Sequence, residues 1–221
     1  MGERIVSVAV DGPAGSGKST ISKLAAKILG FEYIDTGAMY RALTLKVLNK
    51  GLNPQKPEEV VSLLKDTDID FVDNHIYLDG EMVDETIRQN IISQNVSYIA
   101  AIKEVREAMV RIQQNLAKAK SIIMDGRDII TVVLPDADFK IFVTASVEER
   151  SRRRYKELLE KGETNITLEQ IMKDIERRDY IDSNREIAPL VRTEGSYLLD
   201  TTNNTIDESV NFIVSLVKRG L

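Results

Sequence analysis

The 221-residue sequence predicts an α/β fold: a five-stranded parallel sheet with helices on both faces, carrying a small antiparallel insert and a short lid. Three observations lead there. A β-branched apolar run near the start passes through a glycine-rich loop into an amphipathic segment. Four more short apolar runs follow, separated by segments of helical periodicity. One stretch, about 60–90, interrupts that alternation with period-two segments joined by a tight turn.

Ile5-Val6-Ser7-Val8-Ala9-Val10 has the composition of a strand buried on both faces. Behind it, Gly12-Pro13-Ala14-Gly15-Ser16-Gly17-Lys18-Ser19 fits G-x-x-x-x-G-K-[ST], the phosphate-cradling loop of P-loop NTPases. Its glycines let the backbone curl until successive N–H groups face phosphate oxygens. Lys18 carries an ammonium to the β- and γ-phosphates, Ser19 brings a hydroxyl to Mg²⁺, and the cradle extends to Thr20. Ile21, Leu24, Ala25 and Ile28 then fall on one helical face, and Gly30 stands where a C-terminal cap belongs. Strand, loop and helix in this order are the context that the motif requires.

A second strand is predicted over 31–34, ending at Asp35-Thr36-Gly37, and a helix over 38–49 with Leu45 and Leu48 on one face. Asn53-Pro54 and Lys56-Pro57 mark a loop, and 58–65 reads as a short helix. Residues 68–71 and 76–79 alternate, Asp79-Gly80 is a turn pair, and 81–83 return, which makes a meander. Asp73-Asn74 reads as a turn that leaves His75 exposed beside it. Asp84 is predicted to N-cap the next helical region, where Ile102, Val105, Met109, Ile112 and Leu116 keep helical spacing. Residues 121–124 form a further sheet strand ending in Asp125-Gly126-Arg127-Asp128, and 139–143 the next. A charge-dense helix spans 146–159 and breaks at Lys161-Gly162-Glu163. Thr167 with Gln170 resembles a capping box that starts a helix running past Tyr180. Residues 196–199 are the fifth strand and 210–217 the closing helix.

Composition narrows the chemistry. The 35 acidic against 30 basic residues give a formal charge of -5, which disfavours broad binding to nucleic acid. Cysteine is absent, which excludes disulfides and thiolate metal sites and suits a reducing cytoplasm. His75 is the sole histidine, so neither a Ser-His-Asp triad nor a multi-histidine metal centre is expected. The N-terminus has no secretory apolar core and the chain no long apolar run. A cytoplasmic monomer without membrane contact is the expectation.

The P-loop alone indicates only a nucleoside triphosphate. A GTPase usually adds N-K-x-D, but Asn49-Lys50 is followed by Gly51-Leu52. Arg41, just past the second strand, and Arg127, at the end of the third, lie where open α/β sheets bind ligands. Each reads equally as a surface ion pair. In the helix from Thr167, the apolar stripe Leu168, Ile171, Met172, Ile175 continues at the same spacing into Arg178, Asp182 and Arg185. Charges on an inward face need partners or a ligand, so a cleft is expected there, with an internal ion-pair network as the alternative. The run Arg150, Arg152, Arg153, Arg154 is either a solvated face paired with Glu148, Glu149 and Glu157, or a lid bringing guanidinium groups to a transferring phosphoryl.

Four segments together resemble the bacterial cytidylate kinase family: Asp11-Gly12-Pro13, Asp35-Thr36-Gly37-Ala38-Met39-Tyr40-Arg41, Asp125-Gly126-Arg127-Asp128, and Asn184-Arg185 with Ala188-Pro189-Leu190. The resemblance runs through nearly the whole chain. It implies one P-loop kinase domain over 1–221, with a monophosphate-binding insert at about 60–90 and a lid at about 151–167. It implies that Ser97, Arg106 and Asp128 read cytosine, that Arg41, Arg127 and Arg185 hold the acceptor phosphate, and that Arg178 and Asp182 meet the sugar. Lid arginines map to Arg150, Arg153 and Arg154, while Arg152 falls at a variable position. Thr36 stands where related chains often carry Ser, which keeps a hydroxyl for the acceptor.

The expected reaction is γ-phosphoryl transfer from Mg²⁺-ATP to CMP or dCMP, with Lys18 and the lid arginines stabilising charge and Ser19 at the metal. A kinase for UMP, AMP or a metabolite hydroxyl is the nearest alternative. A nucleotide-gated switch is a different class, and the second arginine cluster argues against it.

Overall fold

The computed structural model describes residues 4–72, 75–118 and 120–221. β1 (Ser7–Asp11) occupies the middle of a five-stranded sheet together with β2 (Glu32–Asp35), β6 (Ile122–Gly126), β7 (Phe139–Thr144) and β8 (Tyr197–Asp200). The order is β2-β6-β1-β7-β8, and every pairing is parallel. Val8, Ala9 and Val10 are wholly buried, which is why this strand lacks polar alternation. Val8 and Val10 pack toward α1 (Lys18–Leu29) and α8 (Ile206–Gly220) on one face, while Ala9 joins Met124, Ile129 and Ile130 in the core of the other. Parallel register brings the carboxyl ends together: Asp11 faces Gly126 and Phe142, and Asp35 faces Asp125. Active groups therefore collect along one rim.

A second core joins α2 (Thr36–Asn49), α3 (Pro57–Leu63), the strands β3 (Ile69–Val72) and β4 (His75–Leu78), and the helices α4 (Asn90–Ala101) and α5 (Lys103–Leu116), with the exposed β5 (Glu81–Met82) at its edge. β3, β4 and β5 form the antiparallel meander. Lys46 of α2 fastens it, reaching the Asp66 carbonyl and, at 2.7 Å, the Asp79 carboxylate. α6 (Val147–Glu160) and α7 (Leu168–Asn184) pack on each other through Leu158, Ile171 and Ile175. Residues 161–167 connect them.

Several boundaries differ from expectation. α2 starts at Thr36 and not at residue 38, because the Asp35 side chain caps it by accepting from the Ala38 N–H at 3.0 Å. Asp84 does not cap a helix. It accepts from the Ile76 N–H and lies 2.6 Å from His75 Nδ1, and α4 begins only at Asn90. His75 thus opens β4, while the Asp73-Asn74 turn lies outside the described residues. The helical spacing around residue 102 hides a break: Ile102 is extended, at φ -75° and ψ 125°, between α4 and α5. The predicted capping box of α7 is present in both directions, Thr167 to Gln170 and back. A one-turn π-helix, Ile129–Val133, follows β6 where no helix is expected from the sequence.

Candidate active site

A cleft of about 370 Å³ opens along the carboxyl rim of the sheet. Its floor is the glycine-rich loop. Gly12 passes so close to the Val143 carbonyl that any Cβ would overlap it, and Gly17, at φ 83°, turns the chain into α1. Ala14, Gly15, Gly17, Lys18, Ser19 and Thr20 line the cleft, whereas Gly12, Pro13 and Ser16 form the loop's back. The nearly buried Lys18 donates to the Pro13 carbonyl at 3.2 Å. Burial, reinforced by the Arg127 charge, depresses its ammonium to about 7.

The end of β6 supplies a carboxylate that sequence reasoning did not assign to the site. Ser19 Oγ donates to Asp125 Oδ2 at 2.8 Å, and Tyr33 Oη donates to Asp125 Oδ1 at 2.7 Å. Burial, with the Asp35 carboxylate nearby, pushes Asp125 up to about 6. A hydroxyl and a carboxylate at the mouth of a phosphate cradle are hard oxygen donors of the kind Mg²⁺ takes. Among the described residues no group of three or more histidines, cysteines or acids could enclose a metal by itself. A magnesium ion there would share its coordination with nucleotide oxygens and water.

The opposite wall is cationic. Arg41 pairs with Asp35 at 2.6 Å, and Arg127 Nε with Asp182 at 3.1 Å. Arg178, on α7, lines the same cleft, and its buried Nε has no partner among the described residues. Burial together with Arg127, Arg41 and Arg154 lowers Arg178 to about 10, although Asp182 opposes this. Burial works to raise Asp182, yet Arg127, Arg178 and Arg185 hold it below its ordinary value. Lys18, Arg41, Arg127 and Arg178 thus converge with too few anions between them, and an anionic ligand would relieve the repulsion. Thr36 lines the same wall, its hydroxyl donating to the Asp125 carbonyl at 2.7 Å.

Tyr40, Ser97, Arg106, Asp128 and Arg185 line the same cleft. Arg106 is buried, donates to the Ala100 carbonyl at 3.0 Å and grips Asp128 Oδ2. Its guanidinium stands 5.8 Å from the centre of the Tyr40 ring. Arg185 donates from Nε to the Ala188 carbonyl at 2.6 Å, while its Nη2, 3.8 Å from Asp128 Oδ1, has no hydrogen-bond partner among the described residues. The buried Tyr40 hydroxyl has none among them either.

Of the three arginines expected on a lid, two reach the cleft. Arg153 is held by Glu149 at 2.9 Å and by Thr201, whose hydroxyl also donates to the Ser16 carbonyl at 2.9 Å. Arg154 pairs with Glu157 at 2.8 Å. Arg150 stays out. Only 4% exposed, it donates to the carbonyls of Ala145 and Ala14 at 3.0 Å and pairs with Asp179 at 2.7 Å. It staples the loop to α6 and α7. The remaining expected residues, Ser97, Arg106, Asp128, Arg178, Asp182 and Arg185, do meet in one cleft. Asp35, Tyr40, Arg88 and Asp125 are additional lining residues.

Comparison with known proteins agrees with this geometry. The family model for cytidylate kinase matches residues 8–219. A protein named cytidylate kinase from Clostridioides difficile (strain 630) is 54% identical over 95% of this chain and 97% of its own length. Another of that name, from Caldanaerobacter subterraneus subsp. tengcongensis, is 50% identical over 97% of this chain and 95% of its own. Among solved structures, shikimate kinase from Acinetobacter baumannii in complex with shikimate superposes with a TM-score of 0.50 at 15% identity, covering 98% of this chain and 95% of that one. That likeness bears on the fold alone.

Proposed function

The chain belongs to the cytidylate kinase family and transfers the γ-phosphoryl of ATP to CMP or dCMP, and from that premise we propose how its residues share the work. One observation carries the proposal: a single cleft sets the phosphate loop and its Lys18 against Arg41, Arg127 and Arg178, with the Asp128–Arg106 pair in the same cleft.

Residues 12–20 cradle the ATP phosphates, and Lys18, Arg153 and Arg154 take up the charge of the transferring group. Ser19, with Asp125 beside it, would hold a Mg²⁺, which would offset charge on the triphosphate. Arg41, Arg127 and Arg185 align the acceptor phosphate, while Arg178 and Asp182 meet the sugar. Cytosine offers an N4 amino donor and N3 and O2 acceptors, which suits the free oxygen of Asp128, the Arg106 guanidinium and Ser97 Oγ. A monophosphate is already anionic near neutral pH, so the transfer needs no general base. Arg150 acts by holding the loop. The segment 60–90 is the acceptor-side insert, and 151–167 is the lid, whose closure excludes water as a competing acceptor. The protein works as a monomer in the cytoplasm.

A coupled ADP-release assay across nucleoside monophosphates tests this. ADP release should depend on an acceptor, with CMP and dCMP preferred. Acceptor-independent hydrolysis, or equal use of UMP, would overturn the assignment of the base pocket.

A further inference from the structure

Asp128 is the residue at the N-cap position of the π-helix Ile129–Val133, yet its side chain caps nothing there. An aspartate so placed ordinarily accepts from first-turn N–H groups of its own helix. Here its carboxylate is committed to Arg106 instead. The first two N–H groups of the helix are taken instead by Asp11, 118 positions before Ile129. Asp11 Oδ1 accepts from the Ile129 N–H and Asp11 Oδ2 from the Ile130 N–H, both at 2.9 Å.

Asp11 is wholly buried at the end of β1, immediately before the phosphate loop. Burial pushes its carboxyl up to about 7 in spite of the two N–H donors. An acid is a costly filling for such a position. Its two oxygens, however, match two parallel donors, and an asparagine would bring only one acceptor. Nothing in the transfer chemistry touches this group.

We propose that Asp11 is a positioning residue for base selection: by capping the helix in place of Asp128, it frees the Asp128 carboxylate to face Arg106 and the acceptor base. The proposal rests on the reading that Asp128 recognises cytosine. Without Asp11, the Ile130 N–H, at the second helical position, competes for the Asp128 carboxylate and draws it out of the pocket.

The test compares kcat/KM for CMP and for UMP in the wild type, D11N, D128N and the double variant. D11N should cut the CMP-to-UMP preference about fivefold or more, chiefly by raising KM for CMP, with KM for ATP moving about twofold or less. In the D128N background, D11N should leave the preference unchanged, because no carboxylate remains to be misdirected. If D128N lowers the preference and D11N does not, Asp11 only fills space; the proposal falls and the cytosine reading stands. Additive effects in the double variant would overturn it too. If D128N itself leaves the preference intact, cytosine is read elsewhere and both ideas fall. D11S repeats the test should D11N not fold. The wild type offers an independent check by hydrogen exchange: the Ile129 and Ile130 amides should be strongly protected. Exchange as fast as in the surface loop 202–204 would remove the clamp and the proposal with it.

Discussion

Ser19 Oγ and Asp125 Oδ2 lie 2.8 Å apart across 106 residues of sequence. The contact exists because β6 is the parallel neighbour of β1, so the acid ending one strand meets the hydroxyl that opens α1. The Asp125 carboxylate works to keep the nearby Lys18 charged, but burial and the Arg127 charge outweigh it.

Lys18→Met should lower kcat by about 10²–10³-fold or more, since an ammonium aimed at transferring phosphate has no substitute. The fold should survive. Lys18 holds about 7 in the folded chain against an ordinary 10.5. Between those values the unfolded chain binds more protons, so the wild type gains stability as pH rises through that window. Below it, the buried ammonium costs stability. The variant should therefore melt no lower than the wild type at about pH 6.5 and show a shallower rise in Tm toward about pH 10. A large loss of Tm at the lower pH would contradict this.

ATP binding should take up protons at about pH 8. There Lys18 is mostly neutral, and triphosphate oxygens around it restore the ammonium. Calorimetry in buffers of different ionisation enthalpy should report uptake approaching about one proton per site, and Lys18→Met should abolish it. Equal enthalpies in all buffers would rule it out.

Arg150→Ala and Arg153→Ala should separate stability from turnover. Removing Arg150 leaves Asp179 and two carbonyls without their donor, at a cost of about 3–5 kcal/mol in a urea melt. Arg153→Ala should keep most of the stability and lose kcat. The reverse pattern would place Arg150 at the phosphoryl group.

Arg178→Ala should raise KM for CMP about 10- to 100-fold with a smaller change for ATP, because its buried Nε finds no partner until a ligand arrives. Asp182→Ala should do likewise. A sharp fall in Tm with KM for CMP unchanged would mean that both serve only an internal ion-pair network.

How legible was all this in the residues? The sheet strands were, because β-branched runs such as 5–10 and 139–143 have few other uses. The inward turn of Arg178 and Asp182 was, because helical phase carries an apolar stripe straight into them, whereas Arg185 lies just past the end of α7 in extended backbone. Asp125 was not. Its role depends on β6 lying beside β1, an order that chain sequence does not contain. Ile102 misled for a different reason: one extended residue between two helices leaves the apolar spacing nearly intact, so periodicity sees no break. Arg150 misled because an arginine spacing does not tell a saturated buried guanidinium from a mobile one.

The second hydrophobic core has a consequence for how such an enzyme can acquire a new acceptor. α2, the meander, α4 and α5 share one continuous set of buried side chains, from Ala38 to Met109. Thr36, Arg41, Ser97 and Arg106 all ride on helices of that body, whereas Asp128 and Arg185 are anchored outside it. Exchanging the meander alone between homologous chains would split the core without moving a single acceptor contact. A workable crossover must fall near residues 35 and 117, and it inherits Asp128 and Arg185 unchanged. On the proposed reading of Asp128, recombination alone shifts preference only among acceptors that its carboxylate already tolerates, and point changes at that residue have to supply the rest.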